Sequence, residues 1–217
     1  MVSARRLPES NLQSLRLLQL VSQPAFNVDE VETLIRGDIS LSYKLLRYLN
    51  SPVFRRQSPV QSVRHAIITL GQQPLRKWVS VIAVHGLSGQ KPTELMNTSL
   101  IRARFNELVC EKVFDKSVSP ECFIAGMFSL LDAMLDQPMS DILSELNLSE
   151  DVRLALLRLD SPIRSIVVLA VAMENGDWDA IDRLTDILGI EETEAFRLHS
   201  ESIAWASQMQ PGANEFD

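Results

Sequence analysis

Apolar residues recur at helical spacing along almost the whole chain. Leu12, Leu15, Leu18 and Leu20 to Val21 form a first stripe behind Ser10 or Asn11, either of which can cap it. Val28, Val31, Leu34 and Ile35 form a second; Gly37 closes it, and Asp38 can cap the next helix. Leu41, Leu45, Leu46 and Leu49 predict that third helix, ISLSYKLLRYLN, stopped at Asn50-Ser51-Pro52 because proline biases its predecessor away from the αR region. Past a loop at 51–59, VQSVRHAIITLG predicts a fourth helix ended by Gly71. Pro74 suits the first turn of a fifth, LRKWVSVIAVHG, ended by Gly86.

The second half continues in the same period. A break, GLSGQKPT, precedes a long helix from about Thr93 to Phe114. Another is predicted from about Pro120 to Leu135 behind a Ser119 cap, with shorter ones near 138–146 and 149–159. SPIRSIVVLAVAMENG, DWDAIDRLTDILG and EETEAFRLHSESIAWASQM are the last three; Ser161-Pro162, Asp177 and Glu191-Glu192 suit helix starts. The tail 211–217 reads as flexible. VSVIAV is β-branched enough for a strand but keeps a helical frame between Pro74 and Gly86. The pattern therefore predicts one all-α domain over 1–217, an irregular multi-helix bundle. It has room for two packed helical lobes, about 1–90 and 91–210, meeting near 87–93. No repeat of 30–45 residues argues for a solenoid.

Composition fits that picture: 46% of the 217 residues are hydrophobic and 23% charged, which supports a packed core. No run nears the roughly 18 apolar residues that a membrane span needs. The N-terminal MVSARRLPES is basic without an apolar segment behind it, so no signal peptide is expected. The two cysteines, Cys110 and Cys122, form no CxxC pair and read as buried free thiols in a reducing cytoplasm.

The net charge of −7 is unevenly spread. Residues 1–90 hold eleven Lys/Arg and five Asp/Glu; residues 91–217 hold ten and twenty-three. The acidic total argues against a general nucleic-acid binder, while a local basic surface in the first half stays open. Its candidates are Arg55 and Arg56 in the prolyl turn, Lys44 and Arg47 before it, and Arg64, Arg76 and Lys77 after it. Guanidinium groups at a rigid turn suit carboxylate or phosphate recognition. The competing reading is an ordinary solvated face.

Catalytic signals are thin. Three histidines, His65, His85 and His199, are scattered and read as structural or exposed rather than as ligands. HExxH, G-x-S-x-G and CxxC are absent. GLSGQKPT lacks the spacing of a phosphate loop and follows no parallel strand.

Residues 35–79 carry a longer pattern: Ile35, Asp38, Leu41, Lys44-Leu45-Leu46, Leu49-Asn50-Ser51, Phe54, Val60, Ser62, Ala66-Ile67, Leu70-Gly71, Leu75-Arg76 and Trp78. This resembles the HDOD domain, the HD-related output domain of bacterial signalling proteins, and the likeness extends more weakly from Leu7-Pro8 to about Gln208. Arg102-Ala103-Arg104 and Gly126 to Asp132 are most similar to the HDOD half of EAL–HDOD proteins, in which a cyclic di-GMP phosphodiesterase-like domain precedes it. The 217 residues hold no EAL-like segment and begin about where that half would, so the chain reads as such a half or as a stand-alone version of it.

The resemblance also speaks to AGMFSLLDAM, residues 125–134. HD-superfamily phosphohydrolases resemble AGLLHDIG there, with adjacent His and Asp binding metal. In that frame Ser129 stands at the histidine position and Leu130 at the aspartate position. Serine is a poor transition-metal ligand and leucine is none. Asp132 falls where the parent pattern has glycine and, on one continuous helix, would share a polar face with Ser129 and Asp136. The resemblance thus implies a cytoplasmic, non-enzymatic output module that needs no cofactor. It would signal by protein contact, with separate proteins or with an adjoining EAL-type domain, and would not engage membrane. Two alternatives stand beside it: nucleotide or nucleic-acid binding around Arg55 and Arg56, and a residual metal-dependent phosphohydrolase.

Overall fold

A computed structural model of the chain describes residues 9–23, 26–37, 41–45, 62–88, 93–146 and 148–209. Among them every regular element is helical. The order is α1 (Glu9–Ser22), α2 (Val28–Arg36), a helical segment at 41–45, α3 (Val63–Leu70), α4 (Gln72–Ser88), α5 (Thr93–Val113), α6 (Ser119–Phe128), α7 (Leu131–Leu135), α8 (Met139–Ser144), α9 (Glu150–Leu156), α10 (Arg164–Asn175), α11 (Trp178–Leu188) and α12 (Glu192–Met209). The all-α reading of the sequence holds.

The long helix α5 is the axis. Its most extensive partner is α6, which runs back along it; α12 and α10 cover other sides, and α1 packs on α4. Ten residues of α5 between Met96 and Cys110 are buried, so this helix lacks a broad solvent face over most of its length. One apolar cluster runs from Leu15 to Ala206, with Phe105, Phe123 and Phe128 fully buried near its middle. It is continuous across the 87–93 break that the sequence offered as a lobe boundary.

Local chemistry explains most helix ends. Asn27 caps α2 by accepting from the Asp29 N–H at 2.9 Å, Ser62 caps α3 from the His65 N–H at 3.1 Å, and Asp177 caps α11 from the Ala180 N–H at 3.1 Å. Gly71, at φ +73°, ends α3, as the sequence predicts.

Three expectations need correction. Gly86 does not end its helix, because α4 continues to Ser88. A Cβ there would run into the Ser14 hydroxyl, so glycine serves the approach of α1 instead. Ser119 is not a side-chain cap: α6 starts at Ser119 itself, whose hydroxyl donates to the Lys116 carbonyl. The helix predicted over 120–135 is two helices, broken at Ser129 and Leu130. Asp38 and the tail lie outside the described residues.

Candidate functional site

The break between α6 and α7 falls at Ser129 and Leu130, the two positions that the resemblance sets against the metal-binding pair of HD-superfamily phosphohydrolases. Its placement is set by a close helix crossing. At Gly126 a Cβ would sit 2.6 Å from the Arg102 carbonyl carbon and 2.7 Å from the Ala103 Cα, so only glycine admits this approach of α6 to α5. Ser99 donates to the Met127 carbonyl from the other side of the crossing. Oriented to satisfy both neighbours, the buried Asn106 amide donates to the Arg102 carbonyl and accepts from the Gly126 N–H, each at 3.3 Å.

One turn past Gly126, the Ser129 hydroxyl donates to the Gly126 carbonyl at 2.8 Å and accepts from Arg102 Nη1 at 3.1 Å. Arg102 in turn grips Glu174 of α10 in a two-point pair, Nε to Oε1 at 2.7 Å and Nη2 to Oε2 at 2.6 Å. Leu130 is half-buried against the core. Asp132 is half-buried in the first turn of α7, where its carboxylate accepts from the Ala133 N–H. Because the helix breaks at 129–130, the continuous polar face expected for Ser129, Asp132 and Asp136 does not form; Asp136 caps α7 in left-handed backbone at φ 54°.

A cleft of about 300 Å³ opens beside this triad. Arg102 and Ser129 form its floor, with Arg158 and Arg164 at its rim and Val167, Val168 and Val171 of α10 as one wall. A larger groove of about 620 Å³ between α1 and α2 is lined by both signs of charge, including Arg16, Asp29 and Glu30, and lies away from the crossing.

The histidines are dispersed. His65 is exposed on α3; His85 and His199 are half-buried on α4 and α12. Burial, and secondarily Lys44, pulls His85 below its ordinary value; burial pulls His199 down against an opposing pull from Glu174. His199 packs edge-on to Phe105 at 5.6 Å. Among the described residues no group of three His, Cys, Asp or Glu side chains is gathered to hold a metal. Cys110 and Cys122 are free and buried. A hydrogen bond from one thiol to the other, together with burial, pushes the Cys122 thiol up.

The basic candidates of the first half meet different fates. Arg76 is only 6% exposed, donates to the Gln23 carbonyl at 2.7 Å and lies over the Phe26 ring at 5.3 Å. It belongs to the packing, not to an open cationic face. Lys77 is half-buried above Phe123 and pairs with Glu107, a carboxylate only 1% exposed that also accepts from Arg104 at 2.8 Å. Arg64 is held by Glu32 at 2.7 Å and Asp29 at 3.4 Å. Lys44 is half-buried; Arg47, Arg55 and Arg56 lie outside the described residues. Arg158 and Arg164 carry no motif and were not among the residues the sequence singled out.

With this geometry established, comparison with known proteins places the chain. The HDOD domain model matches residues 7–149. The cyclic di-GMP phosphodiesterase CdgJ of Vibrio cholerae serotype O1 is 33% identical over 208 residues, covering 96% of this chain and 48% of the relative. YuxH of Bacillus subtilis is 30% identical over 196 residues, covering 89% and 47%. The chain thus spans about half the length of these curated relatives. A crystal structure of a proposed signal transduction protein from Marinobacter aquaeolei VT8 superposes with a TM-score of 0.61 at 14% identity, covering 94% of this chain and 59% of that one, a likeness of fold alone. The matched residues take in both α5 and α6 with their glycine-tight crossing, and the chain belongs to the HDOD domain family.

Proposed function

We propose that this domain is a regulatory module in cyclic di-GMP-linked signalling, acting by protein contact and not by phosphoester hydrolysis. The observation that carries the reading is the Arg102–Ser129 contact at 3.1 Å, with Arg102 fixed in place by Glu174. At the positions where the ancestral pattern coordinates metal stand a hydroxyl and a leucine, and a guanidinium faces that hydroxyl. A divalent cation would meet a fixed positive charge and too few donors, which supports a degenerate site.

The link to cyclic di-GMP comes from CdgJ, whose name describes that activity. We assign the hydrolysis of that relative to the half this chain does not match. The domain would then act by linkage. A partner that binds one state of the domain better shifts its population, and the coupled catalytic half responds by the same factor in binding. The contact surface tested first is the basic pair Arg55 and Arg56, since Arg64, Arg76 and Lys77 are engaged within the domain.

The experiment has two arms. The purified chain is incubated with manganese, iron or magnesium, desalted, analysed for metal and assayed with cyclic di-GMP. The expected result is no stoichiometric metal and no turnover; finding both overturns the reading. An EAL-type phosphodiesterase is then assayed alone and fused to this domain, where regulatory coupling predicts a change of about fivefold or more in substrate affinity. Identical kinetics for the two, and for the fusion carrying Arg55→Glu/Arg56→Glu, refute the regulatory part.

A further inference from the structure

The cleft beside Ser129 has a charge character that the acidic second half does not lead one to expect. Residues 91–217 hold more than twice as many acidic as basic side chains, yet three arginines meet at this one opening. Glu174 neutralises Arg102. Arg158 and Arg164 have no carboxylate partner among the described residues, so the opening keeps two uncompensated guanidinium groups. Most other arginines of the described second half, Arg104, Arg153 and Arg197, are paired.

The local backbone keeps these two groups together. Arg158 follows the last turn of α9 at φ 63°, a left-handed conformation that glycine takes most easily. Its N–H bonds to the Ala155 carbonyl at 3.1 Å, and the Leu159 N–H reaches back to the Leu154 carbonyl at 2.9 Å, closing the helix end. The chain then turns through Ser161 and Pro162, and Arg164 opens α10 at the same cleft. Along the same face of α10 as Arg164 run Val167, Val168 and Val171, which form an apolar wall of the cleft; Val168 is 39% exposed.

We propose that this cleft binds a phosphate-bearing small ligand of nucleotide size, its phosphate held by Arg158 and Arg164 and its base or sugar lying against Val167, Val168 and Val171. Guanidinium forks match phosphate oxygens in a two-point geometry. A cleft of about 300 Å³ with apolar walls and few convergent polar groups lies at the lower end of small-molecule sites. Arg102, already held by Glu174, orients the floor through Ser129 and is not the anion's main partner. The proposal stands whether or not the domain regulates a catalytic partner.

The test is isothermal titration of the full chain at about 50 mM salt, where charge contacts are weakly screened. The probes are inorganic phosphate, pyrophosphate, guanosine monophosphate and cyclic di-GMP. Saturable binding of one of the two nucleotides is expected, tighter than pyrophosphate. Arg158→Ala and Arg164→Ala should each weaken it about tenfold, as loss of a charged hydrogen bond does. Arg183→Ala, whose Nε only reaches the Asp179 carbonyl on α11, should leave it unchanged. Because Arg158→Ala could disturb the end of α9, Val168→Glu provides a second probe: a carboxylate on the exposed wall should abolish binding while the melting temperature holds. No saturable heat with any probe overturns the proposal, as does wild-type affinity in Arg158→Ala/Arg164→Ala. Equal affinity for pyrophosphate and both nucleotides refutes the part played by the valine wall.

Discussion

Replacing Gly126 by alanine puts one methyl group into a crossing where two helix backbones touch. Its Cβ would meet the Arg102 carbonyl oxygen and sit 2.6 Å from the Arg102 carbonyl carbon and 2.7 Å from the Ala103 Cα. All are main-chain atoms inside the 21-residue α5, so no rotamer change relieves the clash. Carbon–carbon contact is comfortable from about 3.5 Å, so α5 and α6 must part by ~0.8 Å. The surrounding core is close-packed and resists such a shift. Overpacking of this kind costs about 1–3 kcal/mol, and contact with rigid backbone puts it at the upper end. Alanine recovers up to about 1 kcal/mol of helix propensity, leaving a net loss of about 2 kcal/mol. For a domain of this size that lowers the melting temperature by about 4–8 °C. Urea unfolding followed by circular dichroism reads the free energy, and calorimetry reads the temperature. Gly86→Ala is the internal comparison, because its Cβ would clash with the Ser14 hydroxyl, a side-chain end that can rotate away, and would lie at an ordinary 3.4 Å from the Ser14 Cβ. It should cost less than about 1 kcal/mol. Gly126→Ala as stable as wild type, or no more damaging than Gly86→Ala, refutes the argument that backbone contact sets this crossing.

Other outcomes concern the charged and titratable groups. Lys77→Met leaves the buried Glu107 carboxylate with Arg104 alone and should destabilise by about 1–3 kcal/mol in urea, and adding Glu107→Leu should restore part of the loss; a double variant no more stable than Lys77→Met contradicts this. His85 and His199 are held below their ordinary value of 6.5, chiefly by burial, so the unfolded chain binds more protons below that pH. Stability from these two groups is therefore full above about pH 7 and is lost as the pH falls through 6.5 and below, and His85→Gln/His199→Gln should flatten the urea midpoint on that acid side. Glu194, held down to about 2 by hydrogen bonds from Arg197 and Lys112, leaves this window undisturbed. Cys110 and Cys122 are both buried, with the Cys122 thiol pushed up, so an aromatic disulfide reagent should label neither in the native protein and both in urea; rapid native labelling would place a thiol at the surface.

Periodicity exposed the helices because burial repeats along a helix with a period the chain itself carries. It did not distinguish the two jobs of glycine. Gly71 ends a helix through its own φ of +73°, whereas Gly86 and Gly126 admit a second helix whose residues lie 72 and 24 positions away. Sequence neighbours look alike in these cases; the partner decides. Three of the basic candidates, Arg64, Arg76 and Lys77, are engaged within the domain for the same reason. Lys77 faces Glu107 and Arg64 faces Glu32, pairings made across helices that charge counting along the chain does not see. Arg158 and Arg164 had the converse problem. Each looks like a surface arginine, and only the turn between α9 and α10 brings them to one opening. Ser129 and Leu130 were legible because they interrupt a longer motif, but the arginine that occupies their surroundings comes from α5 and its glutamate from α10.

The Arg102–Glu174 pair also bears on how the parts of the chain are joined. Residues 7–149 match the family, and Glu174 lies beyond them. A partly buried ion pair contributes little net stability against an apolar replacement of equal volume. Its effect is geometric: two parallel hydrogen bonds fix the orientation of α10 against α5, and the third guanidinium contact fixes the end of α6 through Ser129. A leucine in place of Arg102 could fill the space, but it would leave Glu174 unpaired and the Ser129 hydroxyl without its donor. Three helices are thus referenced to one side chain, and that side chain forms the floor of the cleft whose rim carries Arg158 and Arg164. A ligand drawing those rim arginines inward would pull on α9 and α10 together, and a hydrogen-bonded path from there to the family core runs through Arg102. Arg102→Leu should therefore loosen the coupling between cleft and core more than it lowers stability: hydrogen exchange of α10 amides should rise while the global unfolding free energy moves by less than about 2 kcal/mol. Unchanged α10 exchange in that variant would show that apolar packing alone sets the position of the helix.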